Sequence, residues 1–157
     1  MMDLSTFSDD ELIGLYPILL SELRIRGIAN TRNLVSEVGE YLVFQHYANA
    51  PEKPSLSKVS HRTRIVRAVD PITGDRYSIK VTTRSATGVF HSIDVVSDEQ
   101  EFEYLIILRM TDDLKVSEIL ELNWNQFVKH RRMKNPEKKW YVPVTESLRQ
   151  AANVRFN

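Results

Sequence analysis

An α/β domain, a mixed β-sheet flanked by helices, is what the chain predicts, and three observations carry that reading. The run Thr63 to Thr83, TRIVRAVDPITGDRYSIKVTT, sets two β-branched-rich stretches around a Pro-Ile-Thr-Gly turn, the pattern of a β-hairpin. Phe102 to Met110 is a second strongly strand-like stretch. Ahead of both, NLVSEVGEYLV has helical spacing, with Glu37 and Glu40 three residues apart and so on one face.

The elements follow in order. Ser8 with Glu11 forms a capping box, and Leu12, Leu15, Tyr16, Leu19, Leu20 and Leu23 continue at helical spacing to Gly27, predicting a helix over about 9–26. Pro17 removes one ladder bond inside it, which predicts a kink or two abutting helices. The second helix is expected over about 33–47, with Val35, Val38 and Leu42 toward the core and Glu37 and Glu40 turned to a cleft. A loop over 49–57 leads to the hairpin, where Asp70 beside Pro71 reads as a turn-former. Residues 85–101 lack periodicity and suit a mobile loop or a short irregular strand. After the 102–110 strand, Thr111-Asp112-Asp113 turns the chain into another over about 115–122. Asn123 with Gln126 caps a helix through about Arg132, Lys139 to Val144 suits an edge strand, and Thr145 to Asn153 suits a closing helix. The expected order is ααββ(β)ββαβα in one domain spanning residues 1–157.

Composition narrows the function classes. With 42% hydrophobic and 27% charged residues the chain is ordinary globular material. It has no cysteine, hence no disulfide framework, thiolate metal site or cysteine nucleophile, and its four histidines lack metal-ligand spacing. An acidic, polar N-terminus and the lack of a long apolar run predict neither signal peptide nor membrane span, so a cytoplasmic protein is expected. The net charge of zero hides segregation. Residues 58–84 hold seven Lys or Arg against two acids and residues 122–157 hold eight against two, whereas 1–52 and 85–121 are acidic. A phosphate-binding face needs local rather than total positive charge, so neutrality leaves nucleic acid open as a partner.

The ordered set of helix acid, hairpin and Ile-Lys strand resembles the core of the PD-(D/E)XK restriction-endonuclease-like superfamily. The runs EL-x-x-RGI, NLVSEVGEYLV, RYSIK and FEYLIIL are similar in order and spacing to a group of bacterial restriction-endonuclease-like proteins, over roughly residues 8–130. The resemblance implies a Mg²⁺-dependent deoxyribonuclease ancestry, in which clustered carboxylates supply hard oxygen ligands and a lysine two residues after the strand acid helps activate water. It puts Glu40 at the helix-acid place, Glu37 beside it as a second acid and metal ligand, and Lys80 at the motif lysine. Arg67 stands where a metal-binding Asp is expected and Ser78 where an acid is usual, so the centre reads as degenerate. Asp70 cannot stand in for position 67, since residues three apart on a strand point to opposite faces. Arg67 is instead expected to pair with Glu40 or Glu37. Glu40, Arg67, Ser78 and Lys80 are expected to converge at one sheet edge.

The same residues have ordinary uses: Glu37 and Glu40 as an exposed helix face, Lys80 as a strand lysine reaching solvent. Arg62, Arg64, Lys129, Arg131 and Arg132 are the candidate phosphate contacts, the last three near Trp124, Phe127 and Trp140, which suit either a stacking surface or core aromatics. The reading is therefore a nuclease-like DNA-interacting protein of a bacterial or phage defence or DNA-processing system. Its alternatives are a working Mg²⁺ endonuclease and a non-catalytic assembly subunit with a protein partner in such a system. A homodimer is expected from the complementary acidic and basic segments and the habit of the family.

Overall fold

The computed structural model describes residues 2–30, 33–59, 65–97 and 99–156, with residues 154–156 described through their backbone alone. In chain order the elements are α1 (Asp9–Ile25), α2 (Leu34–Asn49), β1 (Ser57–Lys58), β2 (Ala68–Val69), β3 (Arg76–Thr82), β4 (Tyr104–Met110), β5 (Val116–Asn123), α3 (Trp124–His130), β6 (Arg132–Lys134), β7 (Lys139–Tyr141), α4 (Glu146–Ala151) and β8 (Asn153–Phe156). The main sheet has the order β1-β2-β3-β4-β5-β8, with β6 and β7 forming a separate two-stranded ribbon. All its pairings are antiparallel except β3 with β4. The expected mixed sheet with flanking helices is present. No described helix is long and apolar enough to cross a membrane.

The parallel pair makes β4 the centre of the sheet. Leu105 and Ile107 pack on one face with Phe90, Phe102, Trp124 and Phe127, while Ile106, Leu108 and Met110 pack on the other with Val43 and Tyr47 of α2. Burial on both faces is why β4 reads as a near-continuous apolar run, interrupted by Arg109, rather than an alternating one. The crossover from β3 to β4 contains no helix among its described residues, and it is tied to the ribbon side by two isolated bridges, Ala86 to Pro143 and Phe90 to Trp140.

Several expectations are corrected. α1 runs as one helix across Pro17 rather than as two, and the carbonyl the proline frees, at Ile13, belongs to a solvent-exposed residue. The helix stops at Gly27, whose φ of +68° and the bond from Ile28 N–H to Leu23 O make a Schellman turn. The buried face of α2 is Gly39, Glu40, Val43 and Tyr47; Val35 is exposed, and Val38 and Leu42 only half-buried. Residues 139–141 pair with β6 in the ribbon rather than edging the main sheet, and that sheet gains β8 from the chain end instead. Trp124 and Phe127 are core residues, so they form no exposed stacking surface. Asp70 does shape its turn: its Oδ1 accepts from Ile72 N–H at 2.8 Å and Thr73 N–H at 3.4 Å. Those bonds, the one from Ile72 foremost, hold its carboxyl below the usual range.

Candidate functional site

Two local features open a cavity beside β3. On β3, β2 pairs with Tyr77 and Arg76 alone, so the outer edge of β3 beyond them is left without a strand partner in that pairing. α2 crosses this part of the sheet at very short range, because Gly39 lies against Val81 and Leu108 with no side chain between. Glu40, the next residue, is carried to the sheet edge and buried to 8% exposure. A cavity of about 420 Å³ results, with Glu40, Arg67, Lys80, His91, Asn33 and Ser36 among its walls.

Arg67 is placed by the start of the hairpin, where its N–H donates to Tyr77 O at 2.8 Å. Its guanidinium then grips Glu40 with two parallel bonds, Nε to Oε1 at 2.7 Å and Nη2 to Oε2 at 3.1 Å. This fork-on-carboxylate geometry is the strong form of an ion pair. The pairing expected from charge counting is thus realised with Glu40. Glu37 is used differently: its Oε2 accepts from Asn30 N–H at 2.9 Å, and it lines a second, smaller cavity with Tyr41, Phe44 and Lys58, to which Glu40 also contributes.

Lys80 enters from the sheet face opposite α2. Its Nζ donates to Val89 O at 2.9 Å and lies 4.5 Å from the centre of the Phe90 ring. Burial, and then the nearby Arg67 charge, holds its ammonium below the usual lysine range. The ammonium retains donors beyond the one given to Val89. Ser78 shares its strand face but is 2% exposed and is not on the cavity wall, so the expected convergence holds for three of four residues. Ser78 stands opposite Leu105 of β4 in the parallel pairing and is buried there.

Sequence reasoning counted Arg84 and Lys134 in separate basic segments and did not join them. Val81, Gly88 and Val89 are shared between the Lys80 cavity and a neighbouring groove of about 570 Å³ that Thr83, Arg84, Ser85, Lys134 and Tyr141 also line. Both cations were visible within the basic segments, but only the fold-back of the crossover against the ribbon brings them to one groove. Among the earlier candidates, Lys129 is exposed, and Arg132 is exposed with its Nη1 on the carbonyls of Arg131 and Lys129. Arg131 lies 4.1 Å from the Trp140 ring centre and 5.7 Å from that of Phe127, a stacked structural position. Arg62 and Arg64 lie outside the described residues.

The oxygen donors near Lys80 are engaged elsewhere. Both Glu40 oxygens are held by Arg67, position 78 offers a buried hydroxyl, and Glu37 faces the other cavity. Among the described residues no group of three or more acidic or histidine side chains gathers. Arg67→Asp tests this directly. The variant should lose roughly 2 kcal/mol of stability without metal, and Mn²⁺ at a hundred times its dissociation constant should return about 2.7 kcal/mol. The wild-type melting temperature should not move in millimolar Mn²⁺, and an equal rise in both proteins would show that Arg67 does not occupy the ion's place.

No protein-family model matches the chain, and neither does any curated protein sequence.

Proposed function

We propose that this chain is a nuclease-like DNA-interacting protein of the restriction-endonuclease-like kind, serving a bacterial or phage defence or DNA-processing system, with a centre that has exchanged its metal for an internal ion pair. The observation that carries this reading is the bidentate Arg67–Glu40 pair in one cavity with Lys80. An arginine there supplies without metal the positive charge that would otherwise draw the carboxylate inward. One acid against two cations leaves the cavity net positive, and the adjoining groove adds Arg84 and Lys134. A phosphodiester backbone lying along the groove would meet Lys134 and Arg84 before reaching Lys80.

Fluorescence anisotropy on duplex and single-stranded DNA over a salt series tests the binding. Three or so phosphate contacts give a log–log salt slope of about −3, and Arg84→Glu with Lys134→Glu should flatten that slope and weaken binding without changing the melting temperature. Salt-insensitive binding, or none, would remove the DNA reading and favour the assembly subunit. Wild-type cleavage with Mg²⁺ or Mn²⁺, abolished by Lys80→Ala or Glu40→Ala, would instead establish the working endonuclease.

A further inference from the structure

Lys80 carries a partly buried ammonium that no carboxylate balances among the described residues. Glu40, the acid on the same cavity wall, gives both its oxygens to Arg67. What Lys80 has instead is the Val89 carbonyl, 2.9 Å from its Nζ, and the Phe90 ring, whose centre lies 4.5 Å away. Neither contact requires the extra proton, because a neutral amine still has N–H groups to give to a carbonyl and to a ring face. Burial first and the Arg67 charge second disfavour the charged form. A lysine desolvated beside another cation is the arrangement that makes an amine nucleophilic near neutral pH.

The cavity opens sideways. Its walls Val81, Gly88 and Val89 are also walls of the groove of about 570 Å³ that holds Arg84 and Lys134. Both of those cations are exposed, and among the described residues neither has an ion-pair partner. Two such cations beside an amine-bearing cavity suit a ligand with a phosphate at one end and an electrophilic carbon at the other. An aldehyde is the electrophile that an amine attacks without a metal, a redox partner or an activated leaving group.

We propose that Lys80 is a nucleophilic amine that forms an imine with the aldehyde of a phosphate-bearing ligand, whose phosphate seats against Arg84 and Lys134. The Nζ lone pair adds to the aldehyde carbon, and the carbonyl oxygen takes up a proton to give a carbinolamine. That oxygen then leaves as water, the two amine hydrogens being the hydrogens lost overall, and a carbon–nitrogen double bond remains. Ser36 and the exposed His91 stand on the same wall to relay those protons. Two sources share this chemistry: a small phosphorylated aldehyde, and the ring-opened sugar of an abasic site in DNA, whose aldehyde is flanked by phosphates. The imine step stands without the DNA reading, and only the second source rests on it.

Pyridoxal phosphate is the probe for the first source. Incubated in substoichiometric amount with the full-length protein and fixed with borohydride, it should be found by peptide mass spectrometry on Lys80 in preference to exposed lysines such as Lys115 and Lys129. Pyridoxal, which lacks the phosphate, should label Lys80 about tenfold less efficiently, and Arg84→Ala with Lys134→Ala should bring the phosphate probe down to that level while leaving pyridoxal unchanged. A duplex with an abasic site, treated in the same way, should yield a trapped protein–DNA adduct that Lys80→Arg removes. Circular dichroism checks the fold of that variant, and mapping the adduct in the wild type locates the amine independently of it. Trapping of the probe but not of the duplex would assign the aldehyde to a small phosphorylated molecule, while anisotropy on intact DNA decides separately whether the chain binds DNA at all. Labelling confined to exposed lysines would overturn the imine, and equal labelling by the two probes would overturn the phosphate seat.

Discussion

Replacing Gly39 with valine is expected to cost about 3 kcal/mol and to lower the melting temperature by roughly 6–12 °C, with alanine costing about 2 kcal/mol. A Cβ at this position would sit 2.5 Å from Val81 Cγ2 and 3.0 Å from Leu108 Cδ2, and it would press on Val81 Cγ1 as well. Both neighbours belong to strands inside the sheet, so relief requires lifting α2 as a body rather than turning one side chain. The helix carries Glu40, so the same shift draws its carboxylate away from Arg67. On the DNA-interacting reading proposed above, DNA affinity should fall along with stability. Thermal melts of Gly39→Ala, Val81→Ala and the double variant provide the check: the double should recover part of the loss, a coupling of 0.5 kcal/mol or more on the scale of about 0.5–3 kcal/mol for residues in contact. Gly39→Val melting within a degree of wild type would show that α2 has room to spare.

Glu118→Gln is expected to cost about 2–3 kcal/mol at neutral pH. Glu118 lies on β5, 6% exposed, and three charge-assisted bonds converge on it: Arg109 Nη1 at 2.8 Å from β4, and Arg149 Nε at 2.9 Å and Nη2 at 3.0 Å from α4. It joins the short closing helix to the sheet. Breaking a buried pair costs about 3–5 kcal/mol, and the lower figure here reflects the exposure of the two arginines at about 30%. The bond from Arg149, ahead of that from Arg109, holds the Glu118 carboxyl below its ordinary range. A carboxyl lowered by folding stabilises the protein above its unfolded value, and that contribution disappears as pH falls through the folded value. Wild-type stability should accordingly decline as pH drops below about 4.5, the ordinary glutamate value. Glu118→Gln should start lower and decline less across the same window. Parallel pH profiles for the two proteins would assign the acid sensitivity to other carboxylates, Glu103 with Arg76 foremost.

The features legible in the sequence are those whose physics is local. Ser8 with Glu11 and Asn123 with Gln126 form reciprocal capping boxes where their spacing requires them. Asp70 turns the hairpin, and the apolar run of β4 identifies a central strand. The Arg67–Glu40 pair was also within reach, because the resemblance set Arg67 near Glu37 and Glu40, and an arginine beside acids takes one as its partner. Short elements were not legible. β6 and β7 span three residues each and β8 four, too few to express a period, so their pairings depend on what lies beside them.

Within α2 the apolar residues surround the helix, and spacing alone pointed inward to Val35, Val38 and Leu42. The sheet instead selected the side holding Gly39, because only there does the backbone approach closely enough to bury Val43 and Tyr47. That choice rotates Glu40 into the cavity with Lys80 and leaves Glu37 on Asn30. The groove with Arg84 and Lys134 likewise comes from folding residues 86–90 back against 140–143. By itself, the sequence determined the fold class, the caps, the turn and which charges were available to oppose one another. Which face of α2 met the sheet, and hence which side chains share a cavity, was decided by close packing between segments far apart in the chain, where no local pattern carries the information.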